Sequence, residues 1–157
     1  MRLLLKNLLF MLVVPGSVGG WVPALLVSDT APRDGAWRVA AAAVFALAAA
    51  ILAWCVLDFA RRGRGTPLPF DPPRRVVATG PYRWVRNPMY LAVMTAIAGW
   101  GVLVPSGAVP IYAACVALCF QAMVVLYEEP HLEREFGDDY RAYRARVPRW
   151  LPRPPRG

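Results

Sequence analysis

Four apolar runs, each close to the length that crosses a bilayer, constrain this chain more than any other feature. They cover residues 8–27, 36–60, 88–104 and 107–127, and a spanning helix needs about 20 apolar residues to cover a hydrocarbon core of roughly 30 Å. Charged residues are confined almost entirely to the gaps between them. Hydrophobic residues make up 57% of the 157, more than an ordinary soluble domain of this size buries. The expected fold class is therefore all-α and integral to a membrane: about four transmembrane helices in a single domain over residues 1–157, followed by a cytoplasmic C-terminal amphipathic helix.

Each run has its own punctuation. The first contains Pro15 and Pro23, which remove backbone donors and predict a kink, while Gly16, Gly19 and Gly20 would let a neighbouring helix approach closely. A basic start precedes this run, but no small-x-small cleavage pattern follows it, so it reads as a retained helix rather than a signal peptide. The second run is rich in alanine, and its early Arg38 can snorkel to the interface. Only Pro105-Ser106 separates the third run from the fourth, which predicts an antiparallel hairpin.

The net charge of +8 is explained by where the basic residues sit. The loop from Arg61 to Asn87 carries seven arginines against the single acid Asp71, whereas Arg33 between the first two runs is balanced by Asp29 and Asp34. The positive-inside rule places the central loop in the cytoplasm. Four spans put both termini on the same side, and Arg2, Lys6 and the seven arginines of the tail agree. The expected setting is an integral membrane protein of bacterial inner-membrane type, its termini and active site cytoplasmic, with membrane lipids as partners and no nucleic acid. Cys55, Cys115 and Cys119 all fall inside apolar runs, where neither a disulfide framework nor a zinc site is expected, and no metal is called for.

The tail is patterned. Leu132, Phe136, Tyr140, Tyr143 and Val147 recur at helical spacing, interrupted by Gly137, and predict an amphipathic stripe that lies along the membrane or caps the bundle. PLPFDPP before the third run and PRWLPRPP after the tail helix read as extended connectors.

Two stretches can carry chemistry. In GPYRWVRNPMY, residues 80–90, Asn87 is a strong helix cap and Pro88 an ideal first helical residue. The open donors of that helix start, with Arg83 and Arg86 beside them, would suit an anion; the same residues also suit a capped helix with arginines on lipid headgroups. The second stretch is Glu128-Glu129-Pro130, two carboxylates where the fourth run leaves the apolar layer, a costly placement unless they are paired or working. The hairpin brings them level with Arg86 and Asn87. A pocket anionic on one wall and donor-rich on the other suits a zwitterionic or cationic ligand.

GPYRWVRNPMY, then a hairpin, then EEPHLEREFGDDYRAYRARVPRW, resembles the isoprenylcysteine carboxyl methyltransferase family, related to membrane phospholipid methyltransferases. The family pattern is G-x-Y, R-H-P-x-Y, E-E-x-x-L, F-G-x-x-Y and V-P, and the likeness runs from Arg74 to Trp150. It implies a membrane methyltransferase that uses S-adenosylmethionine and acts on a lipophilic or small acceptor. The cofactor-binding half would be residues 74–150. Its implied cofactor contacts are Arg74, Arg75, Val76, Val77, Tyr82, Asn87, Pro88, Met89, Tyr90 and Glu128, with Glu129 a weaker candidate and Arg86 beside the helix start. Gly99 and Gly101 resemble a glycine pair of the phospholipid enzymes, or serve close helix packing.

Two departures bear on the acceptor. The family's histidine in R-H-P is Asn87 here, which keeps a polar cap. One helical turn before Glu128, where the carboxyl methyltransferases place an arginine for the substrate carboxylate, this chain has Val124, and Arg149 is the nearest replacement by motif proximity. A carboxylate is then harder to hold than a thiol or a lipid amine. His131 reads as a surface residue rather than a base. The rival readings are a phospholipid amine or thiol methyltransferase, a non-catalytic membrane interaction protein of the same fold, and a transporter; the last is weakened because Asp58 lies near a span end rather than mid-span.

Overall fold

The computed structural model describes residues 13–58, 76 and 78–155. Among them every regular element is helical. Helix α1 runs Val13–Leu26, α2 Ala36–Asp58, α3 Pro88–Leu103, α4 Ala108–Phe136 and α5 Asp138–Arg146. The ends expected at residues 8–12 and 59–60 lie outside the described residues.

Helices α2 and α4 are long and apolar enough to cross a membrane, whereas α1 and α3 are shorter apolar helices. The 23 residues of α2 extend about 34 Å and the 16 of α3 about 24 Å. Only 17% and 11% of the most apolar windows of α2 and α4 are buried, so these are not the core helices of a soluble domain. Val39, Ile111, Leu118 and Leu126 point outward.

The core lies where α1, α3 and α4 meet, around Val27, Val93, Ile97, Val104, Val109 and Val116. Helix α3 also packs along α2. The closest approach there is at Gly99, where a Cβ would lie 2.8 Å from Phe45 Cε1. That phenyl ring meets the indole of Trp100 edge-on at 5.5 Å. Glycine at this position therefore serves close packing of α3 on α2. Gly99 lies twelve residues beyond Asn87, about 18 Å along the helix axis.

The expected disturbance in α1 is a widened π-helical turn at Ser17–Trp21, ahead of Pro23. Proline has no N–H to give the carbonyls four and five residues back, Gly19 and Val18. Trp100 Nε1 donates to the Gly19 oxygen at 3.1 Å and the Tyr112 hydroxyl to the Val18 oxygen at 2.9 Å. At the far end of α3, Arg33 Nη1 donates to the carbonyls of Gly101 and Val102 at 2.8 Å each, and its backbone N–H to that of Leu103 at 2.8 Å. The cation completes the last turn of α3 at the negative end of its dipole.

The helix that holds the fourth apolar run is longer than the run: it continues past Tyr127 through Glu128-Glu129-Pro130 to Phe136. Pro130 is accommodated by a second π-helical turn at Val124–Glu128, in which the Glu129 N–H reaches five residues back to the Val124 oxygen. Widening moves the carbonyl that the proline ring would strike. The break comes instead at Gly137, whose φ of +51° is a left-handed conformation that glycine adopts without penalty. The tail stripe does collect on one face: Tyr140, Tyr143 and Val147 form a cluster with Leu132, Phe136, Val76 and Ala78 packed against it.

Candidate functional site

The segment leading into α3 is fixed from three directions. A short 3-10 turn at Gly80–Arg83 buries Pro81 and Tyr82 and leaves Arg83 exposed. Tyr82 packs against Cys55 of α2, with Ile51 and Met89 alongside. Its carbonyl accepts a hydrogen bond from the Tyr143 hydroxyl at 2.8 Å, which ties the turn to α5. Thr79, just ahead of the turn, bonds Asp58 at the end of α2 at 2.6 Å.

Asn87 stands at the N-cap of α3, but its side chain does not cap the helix. Its Nδ2 donates instead to the backbone oxygen of Arg149 at 3.1 Å. The tail offered a carbonyl at the right distance, and that contact outcompeted the local cap. The Arg86 N–H donates to the Pro148 oxygen at 2.9 Å and the Arg153 N–H to the Trp84 oxygen at 3.0 Å. Trp150 Nε1 donates to Gln121 Oε1 at 2.7 Å. Residues 147–153 thus form a strap that joins the start of α3 to the middle of α4.

The adjacent glutamates at the end of the widened turn have opposite surroundings. Glu129 is buried and held by two arginines: its Oε1 accepts from Arg86 Nη1 at 2.8 Å and Arg149 Nε at 2.7 Å, and its Oε2 from Arg149 Nη2 at 2.9 Å. Burial alone would raise the Glu129 pKa, but the Arg149 hydrogen bond and the charges of Arg86 and Arg149 together hold it below the usual carboxylate range. Glu129 is accordingly a charged anchor, poorly suited to accept a proton as a base. Glu128 accepts a hydrogen bond from the Tyr90 hydroxyl. No ion pair to it is formed among the described residues. Burial, opposed by the Tyr90 bond and reinforced by the neighbouring Glu129 charge, pushes its pKa up.

Arg86, Asn87, Val124, Glu128, Glu129, Leu132, Tyr140 and Tyr143 line one cleft with about 250 Å³ of empty space, its mouth included. Val124 is 1% exposed and presents an apolar wall. The guanidinium of Arg86 is committed to Glu129, yet its Nε is buried with no hydrogen-bond partner among the described residues. Tyr90 borders the cleft through Glu128 and stands against Phe120, ring centroids 4.4 Å apart.

The remaining residues singled out by sequence are placed as follows. Tyr82 and Met89 sit in the cluster with Cys55, away from the cleft lining, and Pro88 is buried at the start of α3. Val76 packs under Tyr140 and Tyr143. Arg74, Arg75 and Val77 lie outside the described residues. Arg149 has its fork on Glu129 instead of facing Val124. His131 stacks parallel on Tyr127 at 6.0 Å. Leu132, Tyr140 and Tyr143 were visible in the sequence as a helical stripe, but nothing local to them announced that they would wall this cleft.

Residues 37–139, from the start of α2 to the start of α5, match the family model for phospholipid methyltransferase. An uncharacterized protein of Haemophilus influenzae is 30% identical over 63 residues, which cover 40% of this chain and the whole of that protein. No solved structure matches. Since the family match takes in most of the chain, including the start of α3 and both glutamates of the widened turn, the chain belongs to the phospholipid methyltransferase family.

Proposed function

We propose that this protein is an integral membrane methyltransferase that binds S-adenosylmethionine in the cleft between the start of α3 and the widened turn of α4. The observation that carries the reading is the convergence, inside the family match, of Glu128 and the α3 N-terminus on one cleft. The residues present fit the cofactor. Glu128 has a carboxylate oxygen turned to the Tyr90 hydroxyl and no cation among the described residues, so it suits the cofactor's ammonium. Helix α3 starts without a side-chain cap, and Arg86 Nε is a buried donor with no acceptor among the described residues; both suit its carboxylate. When bound, the cofactor supplies an activated methyl group on its sulfonium.

The protein's part in the reaction is to bind, orient and exclude water. Four spans, the apolar runs at 8–27, 36–60, 88–104 and 107–127, are supported by the lengths of those runs, and both termini and the cleft are assigned to the cytoplasmic side by the basic residues of the central loop and tail. Glu129 fixes the geometry by tying Arg86 to Arg149 and does not act as a base. Val124 leaves the acceptor wall without a cation, and Arg149 is already neutralised, so a carboxylate acceptor keeps its desolvation cost. A neutral lipophilic thiol avoids it, and a lipid amine does so once it has given its proton to water; we take these as the acceptor class.

Calorimetric titration of S-adenosylmethionine into detergent-purified protein tests the reading; absence of binding would remove it in favour of a non-catalytic membrane protein of the same fold. Methyl transfer from labelled cofactor to a farnesylcysteine analogue tests the acceptor. Little transfer is expected from the natural chain and more from Val124→Arg, whereas robust transfer by the natural chain would return the carboxylate.

A further inference from the structure

We infer that Asp58 and Thr79 form a latch that positions the start of α3 for cofactor binding, a role that rests on the methyltransferase reading above. Asp58 lies in the last described turn of α2 and is 7% exposed. Burying a carboxylate is costly unless hydrogen bonds offset it. Asp58 Oδ2 accepts the Thr79 hydroxyl at 2.6 Å, a short charge-assisted bond of the stronger kind.

The backbone beyond Thr79 is shaped to the same carboxylate. Gly80 has φ +52°, and a Cβ there would lie 3.0 Å from Asp58 Cγ and 3.1 Å from Trp54 Nε1. Only glycine allows both that conformation and that approach. The turn then delivers Tyr82 onto Cys55, and the Tyr143 hydroxyl takes its carbonyl from the other side. Residues 79–82 are so clamped between α2 and α5, with Arg86 and Asn87 of the cleft immediately downstream. Releasing the α2 side gives this segment slack, and the donors at the start of α3 lose their fixed aim. Asp58 and Thr79 are positioning residues: neither lines the cleft.

The test uses the detergent-purified full chain as natural protein, Thr79→Val and Thr79→Ser. Hydrogen–deuterium exchange over residues 80–86 reads the latch, and calorimetry with S-adenosylmethionine reads its consequence. Thr79→Val should exchange faster over 80–86 and bind the cofactor about tenfold more weakly, the loss of one hydrogen bond to a charged group; Thr79→Ser, which keeps the hydroxyl, should do neither. Unchanged exchange in Thr79→Val overturns the latch. Faster exchange with unchanged affinity overturns its positioning role. If the natural chain binds no cofactor, the methyltransferase reading fails and the positioning role fails with it, while exchange still reports whether the clamp exists.

Discussion

Helices α1 and α4 each carry a π-helical turn that ends two residues before a proline, Ser17–Trp21 before Pro23 and Val124–Glu128 before Pro130. The local cause is the same, a ring that supplies no donor and crowds the carbonyl behind it. What the two turns do is set by their neighbours. In α1 the widened turn is closed off: Trp100 and Tyr112 donate to its carbonyls, and Gly19 lies close against Ala96 and Val93. In α4 it opens on the cleft, with Val124 at its start and Glu128 and Glu129 at its end. A proline in an apolar helix thus creates an opportunity for polar chemistry, and whether it is used depends on side chains from elsewhere in the chain. Within the second turn the same division recurs between adjacent residues, since Glu129 is fully committed to arginines and Glu128 is not.

The sharpest way to break this comparison is to empty the anchor. Glu129→Ala leaves Arg86, with 10% of its side chain exposed, beside Arg149 and without the carboxylate that pairs with both. Removing one partner of a largely buried ion pair costs about 3 kcal/mol or more, discounted somewhat here because Arg149 is 32% exposed. Thermal unfolding in detergent should show a clear loss for Glu129→Ala and almost none for Glu128→Gln. Equal losses would mean that both glutamates are structural.

The closed turn should respond more weakly. Trp100→Phe and Tyr112→Phe each remove one donor to a carbonyl left by Pro23, which should cost about 1 kcal/mol apiece. Cofactor affinity should not change in either, because the bonds lie away from the cleft lining. A drop in affinity in these variants would show that the two turns are coupled.

The smallest effect is in pH. Glu129 has its folded pKa lowered by the two arginines, so its contribution is fully present above the unfolded carboxylate value, about 4.3, and is lost as pH falls through the folded value. Between pH 7 and 5 this group should add no slope to stability, and the decline should begin only in more acid solution. Glu129→Gln should remove that part of the acid dependence, as read from unfolding midpoints against pH.

Much of the helix layout was legible because it rests on local signals. Asn87-Pro88 and the apolar run after it predict the start of α3, and the observed Pro88–Leu103 follows. Ala36 likewise begins α2. The meeting of the glutamate pair with Arg86 and Asn87 followed from the short hairpin connector alone. What could not be read was settled by contacts distant in sequence. Pro130 looks like a stop by local rules, yet the turn widens and α4 continues to Phe136. Asn87 looks like a cap, but a carbonyl of the tail strap takes its amide. The inequality of Glu128 and Glu129 has no trace in an E-E dipeptide, because Arg86 and Arg149 lie 43 and 20 residues away.

The most direct measurement is calorimetric titration of S-adenosylmethionine into the natural protein, Glu128→Gln and Glu133→Gln. Glu133 lies on the outer side of α4, paired with Arg141 and Arg144, and serves as a control of equal charge change. The natural protein and Glu133→Gln should bind alike. Glu128→Gln should bind more weakly by about 1.5–3 kcal/mol, one charge-assisted hydrogen bond, with its unfolding midpoint unchanged. Equal affinities for the two variants would contradict the placement of the cofactor at Glu128.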